Sequence, residues 1–160
     1  MVWGFGLWTV LQLGCASSIG MTVEESIEAA VARAPDDAVV FELSATGVAP
    51  DGSLHGRAAT VSVVMRARTL AGDGLCRVTN LGSQGLQHSE RPCPPHLRDG
   101  LSEDAAKRPS CALRDVLIQA HALKPGPDEL AVTYRPVGTK GEWVLTGDLG
   151  YRIHVPDDCG

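Results

Sequence analysis

TVEESIEAAVARAPDDAVVFELSA, residues 22–45, changes its hydrophobic period halfway along, and that change decides the fold. Thr22 and Glu25 form a T-x-x-E capping box, in which a hydroxyl and a carboxylate each satisfy a backbone amide left open at a helix start. Val23, Ile27, Ala30, Val31 and Ala34 then recur at helical spacing, which predicts a helix over 22–34. Pro35 ends it, because proline disfavours helical geometry in the residue before it. Beyond the Asp36-Asp37 turn, Val39–Ala45 is rich in β-branched residues and predicts a strand. Two further strands are expected at Ala58–Arg68 and Leu75–Leu81, set off by turns at Asp51-Gly52 and Gly72-Asp73-Gly74.

The same order returns later in the chain. Ser110 is placed to cap a second helix that carries Leu113, Val116, Leu117, Ala120 and Leu123 on one face, and Pro125-Gly126-Pro127 stops it. Leu130–Arg135, Trp143–Thr146 and Tyr151–Val155 then predict three short strands. The two helix-to-strand junctions resemble one another, APDDAVV at 34–40 against GPDELAV at 126–132, which reads as an internal duplication. The expected fold is therefore α+β: two helix-plus-three-strand units, 22–81 and 110–160, each helix covering one face of an antiparallel sheet. The six strands make either one sheet or two. Residues 82–109, rich in proline and polar side chains, connect the units, with a short helix expected at Leu101–Lys107.

Residues 1–20 read as a leader. Val2–Leu13 is a run of 12 mainly apolar residues, below the roughly 20 needed to span a bilayer as a helix, and small residues follow it. Leu11, Gly14 and Cys15 are similar to a bacterial lipobox, displaced by one position, so Cys15 is the expected lipidation site, with ordinary leader cleavage or a retained apolar terminus as the alternatives. Export leaves Cys76, Cys93, Cys111 and Cys159, an even set suited to disulfides. If the second helix runs up and its three strands run down, up and down, the last strand ends beside the start of the helix. That topology pairs Cys111 with Cys159 and leaves Cys76 for Cys93.

The net charge is −5 and no basic block occurs, so a nucleic-acid partner is not expected. Three sets of side chains invite chemistry. His88, Cys93 and His96 offer imidazole and thiolate to a metal, although an oxidised Cys93 no longer serves as a thiolate. Arg66 and Arg68 share a strand face and suit an anionic partner, against the commoner outcome of a solvated face. Asp36-Asp37 and Asp157-Asp158 lack the surrounding ligands of a calcium loop. Nucleophile motifs such as G-x-S-x-G and C-x-x-C do not occur.

PSCALRDVLIQA at 109–120, PDELAVTY at 127–134, EWVL at 142–145 and VPDDC at 155–159 together resemble a group of small exported proteins of myxobacterial type, here with fewer aromatic residues. The resemblance implies an extracytoplasmic address and a disulfide framework, with no activity attached. The expectation is thus a non-catalytic, cofactor-free envelope protein of periplasm, outer membrane or exterior, tethered by lipid at Cys15. It would act by contact with a protein or envelope component. Two alternatives are a secreted inhibitor or chaperone-like module of cystatin-like or PepSY-like architecture, and a metal-dependent enzyme using His88, Cys93 and His96.

Overall fold

The computed structural model describes residues 21–56, 59–67, 75–82, 84–93, 95, 108–137 and 140–159. The leader with Cys15, the side chains of Arg68 and His96, and the expected helix at Leu101–Lys107 lie outside them. The elements run α1 (Val23–Val31), β1 (Ala38–Val48), β2 (Thr60–Ala67), β3 (Leu75–Gly82), β4 (Gly85–Pro92), α2 (Leu113–Leu123), β5 (Leu130–Val137), β6 (Lys140–Gly147) and β7 (Tyr151–Asp157).

Among the described residues the strands form one antiparallel sheet of seven, in the order β4-β3-β2-β1-β5-β6-β7. β1 and β5 meet at the centre, and each half of the chain then meanders outward through hairpins. Six strands were expected, and the seventh, β4, lies within 82–109, where a connection without a strand was expected. Gly85–Pro92 pairs with β3 along its length, but as an exposed edge it carries almost no apolar side chains and so shows no strand alternation. The halves consequently differ, with four strands in the first and three in the second.

Both helices lie on the same face. Val23 and Ala30 of α1, and Leu113, Val116, Leu117 and Ala120 of α2, enter one core with Val40, Leu43, Val61, Val63, Met65, Val132, Trp143 and Leu145. A register shift between Val40 and Glu42 of β1 lets Val40 and Leu43 both face this core. Val39 and Phe41 point the other way, where they pack with Val64, Val78 and the Cys76–Cys93 bridge. That second cluster is small and covers part of the face that carries neither α1 nor α2 (among the described residues, the helix-free face).

The α1 capping box is present as expected, Glu25 N–H donating to Thr22 Oγ1 at 3.1 Å and Thr22 N–H to Glu25 Oε2 at 2.7 Å. At α2 the expectation is corrected. The N-cap is Ala112, without a side-chain cap, because the Ser110 hydroxyl is drawn instead to the backbone carbonyl of Asp157. The disulfides join Cys76 to Cys93 and Cys111 to Cys159, the two pairs selected by the topology.

Candidate binding face

Among the described residues, two of the regions that gather polar side chains bear on a site. The first is a clasp around Asp157, whose carboxylate is buried at the end of β7. It accepts N–H groups from Ser110 at 2.8 Å, Cys111 at 2.8 Å and the Trp143 indole at 3.1 Å. A buried carboxylate is tolerated when its lone pairs are filled in this way, and here it ties the entry to α2 onto the last strand. Trp143 stacks at a tilt on Tyr134, ring centroids 5.0 Å apart. Burial and then the nearby Asp157 charge push the Tyr134 hydroxyl up to about 12. Gly141 makes this packing fit, since a Cβ there would overlap the Tyr134 ring and its hydroxyl.

Above the clasp runs a cleft of about 500 Å³ between the helices, with Glu24, Ile27 and Glu28 on one lip, Arg108 and Leu113 on the other, and Trp143 at its floor. The Trp143 N–H is already used by Asp157, so the indole offers the cleft an apolar surface.

The second region is the helix-free face of the sheet. Strand register places Gln87, Asn80, Ser62, Ser44, Thr133, Val144 and His154 opposite one another in sequence across all seven strands. The core residues Leu43, Val63, Val132 and Leu145 alternate with this row and face the helices, which fixes the side on which the row stands. Its first five members carry only hydroxyl or amide groups. Thr46 and Thr60, two residues further along β1 and β2, add a hydroxyl pair 3.0 Å apart.

The residues singled out in the sequence fall differently. Cys93 is bonded to Cys76 on the helix-free face, whereas His88 faces the helices. There its Nε2 accepts from Arg33 at 2.8 Å and its Nδ1–H donates to Thr79 at 2.8 Å. The pairing of His88 and Cys93 as ligands is thereby corrected: strand alternation puts them on opposite faces, and the sulfur is committed to a disulfide. Among the described residues no group of three His, Cys, Asp or Glu side chains is arranged to hold a metal. Desolvation, then the Arg33 and Arg77 charges, holds the His88 imidazolium below the usual histidine range. Arg66 stands on the helix-free face opposite Val39, beside the small apolar cluster. Trp143 and Tyr151 are core residues, and Asp157 serves the clasp. Sequence reasoning missed both the clasp and the polar row. Apart from Gln87, which lies on the unpredicted β4, the row occupies outward positions of the predicted strands, but it emerges only once strand order and register are known.

No family model, curated protein or solved structure matches the chain. The two disulfides fit an oxidising compartment outside the cytoplasm. Among the described residues no helix is long and apolar enough to cross a membrane.

Proposed function

We propose that this is an exported binding protein, held to the cell envelope by lipid on Cys15, whose helix-free sheet face receives a protein or envelope component. The observation that carries the reading is the placement of both helices on one face. Among the described residues it leaves much of the other side of the seven-stranded sheet without a covering element, on a frame braced by two disulfides. A sheet packed on one side only normally presents a solvated face, and a broad rigid face is a suitable platform for contact. The repeated helix-to-strand junctions are read as an ancestral duplication that doubled the width of this platform.

The test is co-sedimentation of the purified, oxidised protein with envelope isolated from its host. Replacing Ser62 and Thr133 together by arginine is expected to reduce the bound fraction, while Ile118→Arg on the exposed side of α2 leaves it unchanged. Loss of binding in the Ile118 variant alone, or no binding by the parent protein, contradicts the reading. Anchorage is tested separately in the native host, where Cys15→Ser is expected to move the protein from the membrane fraction to the soluble fraction.

A further inference from the structure

We infer that the polar row of the helix-free face is a binding site for a neutral, extended β-linked glycan lying across the strands. This rests on the reading of that face as the functional one, and names its ligand. Three observations carry it.

The first is chemical. Gln87, Asn80, Ser62, Ser44 and Thr133 are all uncharged, and hydroxyl and amide groups both donate and accept hydrogen bonds. Sugar hydroxyls have the same dual character, so each contact can be satisfied whichever way its hydrogens point. An anionic ligand would call for guanidinium or ammonium groups, which the five residues lack.

The second is metric. The five stand in register on five adjacent strands, β4-β3-β2-β1-β5, so consecutive side chains are separated by the inter-strand distance of about 4.8 Å. That spacing is close to the advance per sugar along an extended β-linked chain, so one ring can be engaged per strand. A protein partner would be anchored instead by large aromatic or arginine side chains in a central pocket, and the row offers none.

The third is shape. At its β4 end the row opens into a shallow concavity of about 420 Å³, whose polar lining is Thr60, Ser62, Asn80, Gln84 and Gln87. Gly82 and Gly85 at its rim carry no side chain to obstruct an approaching ring.

The experiment is a titration of the full, oxidised, isotope-labelled protein, followed by backbone amide shifts. The probes are chitohexaose, cellohexaose and, as the anionic comparator, polygalacturonate. At least one neutral hexasaccharide is expected to shift amides along β4-β3-β2-β1-β5 and leave α2 unmoved. Ser62→Glu, and separately Asn80→Ala with Gln87→Ala, should each weaken that binding about tenfold, the equivalent of one lost hydrogen-bonded contact. Unchanged near-ultraviolet circular dichroism of the variants excludes misfolding as the cause. The inference is overturned if neither neutral hexasaccharide perturbs the row, if polygalacturonate binds more tightly, or if the shifts map to the inter-helix cleft. Should the row remain silent to sugars while the Ser62/Thr133 double variant still loses envelope binding, the glycan assignment falls and the sheet face stands.

Discussion

The Asp157 carboxylate accepts three N–H groups, and its replacement is correspondingly expensive. Asp157→Asn keeps the shape but turns an amide group towards three N–H donors, so a loss of about 2–4 kcal/mol is expected, measured by urea unfolding with the disulfides intact. Two titrations act on the same scale with opposite signs. His88 has a depressed pKa, so its contribution to stability is complete above the unfolded value of 6.5 and is lost as pH falls through the lower folded value. Tyr134 has a raised pKa, so its contribution is complete below 10 and is lost as pH rises towards about 12. Carbon-13 shifts of the His88 ring and tyrosinate absorbance check the two directions; a histidine midpoint at or above 6.5 contradicts the first. Gly141→Ala should cost about 1–3 kcal/mol by overpacking Tyr134, whereas Gly82→Ala, with open space around it, should change stability by less than about 0.5 kcal/mol. None of this was legible in the sequence. The Asp157 clasp joins residues 46 and 47 positions apart, and Gly141 looks like any turn glycine until Tyr134 is seen beside it.

At the scale of elements, the local signals were strong where apolar periodicity met a clear boundary. The T-x-x-E box and Pro35 bracketed α1 because both act within a few residues. β4 escaped because GLQHSERP is an edge, exposed on nearly every residue, and periodicity reports burial before it reports hydrogen bonding. Ser110 looked like a cap because the competing acceptor, Asp157, lies at the far end of the following three strands. The disulfides can be ranked at this scale. Cys111–Cys159 closes a separation of 48 residues and Cys76–Cys93 one of 17, so in the chain-entropy view their removal costs about 4 and about 3 kcal/mol. Paired cysteine-to-serine variants, compared by thermal unfolding, should show the Cys111–Cys159 loss as the larger; the reverse order contradicts the ranking.

For the whole molecule, the sequence conveyed the class, α+β with antiparallel strands, but not that two units share one sheet. The joining of β1 to β5 is a non-local pairing between residues some 90 positions apart, such as Ser44 and Thr133, and no local pattern encodes it. That pairing is what places five hydroxyl and amide side chains in one row and both helices on the opposite side. A broad face built in this way needs a durable frame, and the two disulfides supply one only where thiols are oxidised. The account therefore depends on maturation outside the cytoplasm, and the intact mass of protein purified from its native host tests this most directly. The expected species has lost its leader, carries an acyl group on Cys15 and is four hydrogens lighter than its reduced form. A full-length, unacylated polypeptide with all its thiols free would contradict the account.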